Sequence, residues 1–212
     1  MKVTCLFLFA LACSGAVASP PAEECAPLLA PLPLDNRQQL LGQWTFIAGY
    51  SDNKAYDAIL KITEGSRLNV SAAAHNDKDL YIYEEMGMNG TCYGSKMNMS
   101  IDGNVASGKM QNISSSYQLL PTCDGCQVMN INSTATNLKD FLEAFGIHLD
   151  DIVNDKISVR ALYLFAQRNK VTDLELENFK KQADCLGFSG EPMFLIDPKK
   201  DFCEDHKAVM IN

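Results

Sequence analysis

Between Gln43 and Ile131 the chain breaks into short runs in which apolar and polar residues alternate: Trp44–Tyr50, Ala58–Thr63, Leu80–Met86, Tyr93–Ile101, Ile113–Leu120 and Gln127–Ile131. Glu64-Gly65-Ser66, Asn89-Gly90, Asp102-Gly103 and Asp124-Gly125 stand at the cuts and carry turn chemistry. Side chains on a strand alternate between faces, so runs of this kind bury one face each. Joined by hairpin turns, they predict an all-β antiparallel barrel or sandwich in a single domain. Ile157–Gln167 reads as a last long strand. Two helical windows interrupt the pattern. Asn137–Phe145 is a short amphipathic piece. In Thr172–Leu186, Thr172 and Glu175 form a capping box, and Leu176, Phe179, Ala183 and Leu186 recur on one face until Gly187. A helix after the final strand is expected to pack outside the sheet.

The Asn-x-Ser/Thr sequons Asn69, Asn89, Asn98, Asn112 and Asn132 mark the outer face if they carry glycan. An outward Asn98 sends Met97 and Met99 inward, Asn132 does so for Ile131, and Asn69 for Leu68 and Val70. Each inward residue is apolar. This agreement across three segments points to one-sided β-structure around an apolar interior.

The first residues belong to a different category. Lys2, the apolar run Leu6 to Ala12, and the small-x-small Ala16-Val17-Ala18 read as a signal peptide spanning 1–18, which predicts a secreted mature chain of 19–212 with an N-terminal arm and a C-terminal tail. The Pro-rich start (Pro20, Pro21, Pro27, Pro31, Pro33) reads as an extended arm and the tail after Cys203 as irregular. The whole chain holds 18 Lys plus Arg against 26 Asp plus Glu, a net charge of -8. Losing Lys2 with the signal leaves 17 against 26, about -9. With no basic cluster longer than the pairs Lys180–Lys181 and Lys199–Lys200, a nucleic-acid partner is excluded. No later stretch is apolar enough for a membrane span.

The signal would also remove Cys5 and Cys13, leaving Cys25, Cys92, Cys123, Cys126, Cys185 and Cys203. An even number in an oxidising lumen predicts three disulfides. Cys123-Asp124-Gly125-Cys126 places one pair around a tight turn, close enough to bridge. The alternative for this pair is a redox-active CxxC or half a zinc site, for which the sequence supplies neither a βα context nor a second ligand pair.

Catalytic signatures such as GxSxG, a phosphate-binding Gly loop or HExxH are missing, and His75, His148 and His206 stand apart with no ligand-spaced neighbour. No metal or cofactor is expected. In Leu80–Met86, alternation sends one of Glu84 and Glu85 inward. Glu84 goes in if Ile82 and Met86 are the core face, and Glu85 if Tyr81 and Tyr83 are. A carboxylate in an apolar interior needs a hydrogen bond, a proton or a cation. Met97, Met99 and Met129 are either core filler or the lining of an adaptable cavity.

Leu41-Gly42-Gln43-Trp44-Thr45-Phe46-Ile47-Ala48 resembles the first-strand motif of lipocalins, whose Gly-x-Trp closes one end of an eight-stranded up-and-down barrel. Together with Glu24-Cys25-Ala26, Tyr56, Thr91-Cys92-Tyr93, Ala183-Asp184-Cys185-Leu186 and Lys200-Asp201-Phe202-Cys203-Glu204, the mature chain resembles the α1-acid glycoprotein (orosomucoid) group, closest to fish members that bind organotin or guanidinium toxins. The resemblance implies an eight-stranded antiparallel barrel with one C-terminal helix outside. It also implies bridges Cys25–Cys185 and Cys92–Cys203, which leave Cys123 with Cys126. The implied function is a non-enzymatic plasma carrier, expected to be monomeric, that transports or sequesters small lipophilic or amphipathic, often cationic, molecules. The implied ligand-binding residues are Tyr56, Leu60, Ile82, Glu84, Met86, Tyr163 and Phe165; Met97 and Met99, inward by alternation, and Tyr117 complete the candidate set. The family's second motif is not intact at Thr122–Cys126, and the arginine of some pockets has no counterpart nearer than Ser107 or Lys109. Two alternatives remain: a lipocalin enzyme of the prostaglandin-isomerising kind, which needs a free Cys in the barrel, and an apolipoprotein M-like lipid carrier, which keeps its signal segment as an anchor.

Overall fold

The computed structural model describes residues 20–74, 76–148, 156–200, 203 and 208–211. The predicted signal peptide, His75 and His206 lie outside the described residues.

Eight strands form the barrel: β1 (Gly42–Ser51), β2 (Thr63–Ala73), β3 (Asn76–Met88), β4 (Thr91–Asp102), β5 (Val105–Met110), β6 (Ile113–Leu120), β7 (Cys126–Ala135) and β8 (Ile157–Ala166). Each pairs antiparallel with the next, and β8 pairs with β1, so the sheet closes on itself. This is the eight-stranded up-and-down barrel expected from the sequence. Among the described residues four α-helices accompany it: α1 (Ala22–Leu29), α2 (Lys54–Ile62), α3 (Leu138–Ala144) and α4 (Asp173–Cys185). Two short strands, β9 (Phe194–Leu195) and β10 (Val209–Met210), pair with β1 and β4. Among the described residues no helix is long and apolar enough to cross a membrane.

A register shift between Phe46 and Ala48 decides what β1 faces. Before it, Trp44 and Phe46 point into the barrel. After it, Ile47, Ala48 and Tyr50 join the outer apolar layer with Phe179 and Ala183 of α4. Helix α4 therefore packs outside the sheet, as expected. Its Thr172–Glu175 capping box is formed in both directions, and Gly187 follows at φ +83°. Trp44 plugs one end of the barrel, where its indole N–H donates to the Leu40 carbonyl at 2.9 Å.

Four local expectations are corrected. Ala58–Thr63 is not a strand but lies largely in α2, which Asn53 caps by accepting from the Ala55 N–H at 2.9 Å. The strand follows instead in β2, and Glu64-Gly65-Ser66 is not a turn; the β2–β3 register shifts between Thr63 and Gly65, where the missing side chain suits an irregularity. The start of the chain is not wholly extended, because α1 forms there despite Pro27. A tertiary clamp supplies what local propensity lacks: Cys25 is bridged to Cys185, and buried Gln182 of α4 donates to the Leu28 and Pro121 carbonyls at 2.9 and 2.8 Å. The tail is not wholly irregular either, since β10 runs parallel to β4 beyond the reach of the short β5.

All three bridges are present: Cys25–Cys185, Cys92–Cys203 and Cys123–Cys126.

Candidate ligand cavity

At the end opposite Trp44, helices α2 and α3 fold over the barrel. Ala55 of α2, Leu138 and Leu142 of α3, Phe145 and Met88 of β3 share one buried apolar cluster there. Between this cap and the Trp44 end lies a cavity of about 210 Å³. Its wall is mostly thioether, aliphatic and aromatic. Tyr56, Ile82, Glu84, Met86, Met97, Met99, Tyr117, Tyr163 and Phe165 all line it.

Leu60 does not line it. It is buried in the large core cluster that also holds Phe46, Leu68 and Phe165. From α2 it is Tyr56 and Ile59, spaced i,i+3 on one face, that line the cavity. Sequence reasoning missed Ile59, Met110, Ile113, Ser115, Ser133, Phe141 and Phe145 in the wall. Met110 was hidden because β5, with its Gly and Ser, has little strand signal. The two phenylalanines stand at or just beyond α3, a helix whose place over the barrel is a tertiary fact.

Among the described residues Glu84 is the one carboxylate of the wall, and none of those residues is Lys, Arg or His. Strand β3 places it between Ile82 and Met86 on the inner face, opposite Leu68 of β2 and Ser95 of β4. Ser66 donates its hydroxyl to Glu84 Oε1 at 2.7 Å. Burial raises the carboxyl above its ordinary value, and the Ser66 hydrogen bond offsets part of that. Glu85 takes the other face, where the Tyr83 hydroxyl donates to it at 3.1 Å. Burial also pushes the Tyr56 phenol up to about 12, with Ser133 working against it, and raises Tyr117 and Tyr163. The tyrosines are therefore neutral hydroxyls at any ordinary pH. Ser115 and Ser133 share a 2.7 Å hydrogen bond in the same wall. The site thus has an apolar body, one acid, and several neutral hydroxyls. It can desolvate a small molecule and hold a donor or cation at Glu84.

A larger depression of about 900 Å³ opens on the outer face of the sheet, lined largely by Ser, Asn and Thr. It contains Asn98 and Asn132 and is open to solvent. Asn89, Asn98, Asn112 and Asn132 are exposed and Asn69 is half-buried.

A scan of protein-family models finds no match to the sequence, and a search of curated proteins finds none either. Solved structures do resemble the chain. The siderocalin Ex-FABP, described as functioning through dual ligand specificities, superposes with a TM-score of 0.57 at 13% identity, covering 81% of this chain and 97% of that one. The siderocalin Q83, described with a dual ligand binding mode, gives 0.58 at 14% identity over 81% and 98%. The bovine lipocalin allergen Bos d 2 gives 0.50 at 15% identity over 74% and 94%. The barrel has the lipocalin fold.

Proposed function

We propose that this chain is a secreted lipocalin of the α1-acid glycoprotein group, a carrier that buries small lipophilic or amphipathic cations in its barrel and does no chemistry on them. One observation carries the reading: among the described residues a single carboxylate, Glu84, stands in a mostly apolar wall of otherwise neutral side chains that offers no protein cation to pair with it. A buried acid without a cationic partner is costly, and a ligand ammonium or guanidinium supplies the missing charge. Toxins and xenobiotics of this chemistry are the class we assign. Reversible burial needs only such a wall. At about 210 Å³ the cavity is below the ~300–1,000 Å³ usual for drug-sized ligands, so the cargo is small or α2 and α3 move to admit it. Glycans on the outward sequons fit this reading by keeping the exterior polar. The isomerising alternative needs a free thiol in the barrel, and the six described cysteines are all bridged.

The test is calorimetric titration of the secreted protein with a pair of probes alike in shape, one a small hydrophobic ammonium and the other its neutral carbon isostere. Tighter binding of the ammonium by about tenfold or more is expected. Equal affinities, or preference for the neutral probe, would refute the cation assignment. Failure of both probes to bind would refute the carrier reading.

A further inference from the structure

The Cys123–Cys126 bridge differs in kind from the other two. It spans three positions in sequence, against 160 for Cys25–Cys185 and 111 for Cys92–Cys203. It therefore restrains the unfolded chain least. The turn it closes is also held by other means. The Cys126 N–H donates to the Cys123 carbonyl at 3.0 Å, the Gln167 N–H donates to Gly125 at 2.9 Å, and Cys126 is registered against Ala166 in the β7–β8 ladder. Arg168 adds a clamp, donating from Nη1 to the Asp124 carbonyl at 3.1 Å. With the bridge open, these contacts still hold the backbone of the turn.

The same guanidinium touches the sulfurs. Arg168 Nη2 lies 3.6 Å from Cys126 Sγ and 3.9 Å from Cys123 Sγ. Its other partner is Glu175, at 2.7 Å, and one Glu175 oxygen lies within 4.8 Å of both sulfurs. Thr122 adds a hydroxyl 3.7 Å from Cys123 Sγ. A thiolate formed here meets a fixed cation, a condition that lowers thiol pKa and improves the sulfur as a leaving group. Cys123 is half-buried and Cys126 is buried, so an attacking thiol reaches Cys123.

We propose that Cys123–Cys126 is an exchangeable, redox-active disulfide that small extracellular thiols of the glutathione class reduce while the barrel and the other two bridges stay intact. In the first step the small thiolate attacks Cys123 Sγ. A bond forms between those sulfurs, the Sγ–Sγ bond breaks, and its electron pair leaves on Cys126, beside Arg168. A second small thiolate attacks the small-molecule sulfur of this mixed disulfide, releasing Cys123 as a thiolate. Two thiols become one disulfide, the protein bridge becomes two thiols, and water supplies their protons. Glu175 opposes the reaction with its negative charge, so the two neighbours of the bridge act in opposite directions.

The experiment is equilibration of the secreted full-length protein in reduced and oxidised glutathione mixtures without denaturant, followed by alkylation and peptide mass spectrometry of each cysteine. Cys123 and Cys126 are expected to alkylate while the other four remain bridged. Their reduction constant should be at least about 100-fold more favourable than those of the other bridges, about 60 mV. Arg168→Met should lower that constant about tenfold, and Glu175→Gln, which preserves the helix cap, should raise it about threefold. In single-Ser variants, Cys123 should form the glutathione adduct at least about tenfold faster than Cys126. Joint opening of all three bridges, opening of this bridge last, or a shift in the same direction for both neighbours would overturn the proposal. If Arg168→Met is not secreted, the wild-type titration and Glu175→Gln decide it.

Discussion

Ser66 donates a 2.7 Å hydrogen bond to Glu84 from the neighbouring strand, and this hydroxyl meets an acid otherwise flanked by Ile82, Met86 and the methionine-rich wall. One neutral hydrogen bond satisfies part of a carboxylate but leaves its charge uncompensated. Glu84→Gln keeps the shape and removes the charge. Affinity for a cationic probe should fall by on the order of 10- to 100-fold, about 1.4–2.8 kcal/mol, while a neutral isostere is held as before. Glu85→Gln, on the opposite face, should leave both unchanged. Isothermal titration of the two variants checks this; equal losses would mean that the charge of Glu84 plays no part.

The raised carboxyl also fixes a pH dependence. Because the folded form holds its proton more tightly than the unfolded chain, stability tied to protonated Glu84 is fully present below the ordinary carboxylate range and is lost as pH rises through the folded value. Without ligand, Glu84→Gln should therefore melt higher than the wild type at neutral pH and match it at acidic pH. A cationic probe selects the ionised form, so its affinity should rise over the same window in which unliganded stability falls. Melting curves and titrations between pH 4 and 8 read both; parallel slopes for wild type and variant would refute the assignment.

The inward face of β3 was open to two readings from sequence, because Ile82 and Met86 on one side and Tyr81 and Tyr83 on the other are both plausible core sets. Register against β2 and β4, a long-range property, decides it. The sequons were better guides. Met97 lines the cavity, and Leu68, Val70, Met99 and Ile131 are buried on the faces opposite Asn69, Asn98 and Asn132. Local signals also located α4, where cap, apolar face and stop coincide. They failed for α2, whose short apolar run reads equally as strand or helix once Asn53 is overlooked, and for β5, where Gly108 and flanking serines give no apolar alternation. The cap made by α2 and α3 depends on contacts between segments far apart in the chain, and no local pattern records it.

The bridges should differ in their contribution to stability. By the loop-entropy relation, Cys25–Cys185, with its separation of 160, contributes about 5 kcal/mol, and Cys123–Cys126, with a separation of 3, about 2 kcal/mol. The long bridge also fastens α1 to α4, so its loss frees the helix that Gln182 holds. Paired Cys→Ser variants followed by urea denaturation should rank in that order. Comparable losses from the two pairs would show that the short bridge braces the native barrel rather than merely closing its own turn.

Two glycines test how tightly the two parts of the interior are filled. A Cβ at Gly49 would stand 2.6 Å from Phe46 Cζ and 3.1 Å from Tyr163 Cδ1. Those rings have no easy retreat, since Phe46 stacks on Phe194 at 4.4 Å and packs against Phe165 at 5.2 Å. Gly49→Ala should therefore cost about 1–3 kcal/mol and lower Tm by several degrees. At Gly108 the three atoms nearest the added carbon all belong to Met97, with its sulfur at 2.6 Å. An unbranched thioether can swing away, and because Met97 already lines the cavity, one way it can swing is inward. Gly108→Ala should leave Tm nearly unchanged and reduce affinity for the small ammonium probe about tenfold, about 1.4 kcal/mol, by filling space the ligand needs. Thermal melts and titrations on the two variants separate the effects. A large Tm loss at Gly108 with affinity intact would mean that Met97 is fixed core rather than a movable part of the cavity wall.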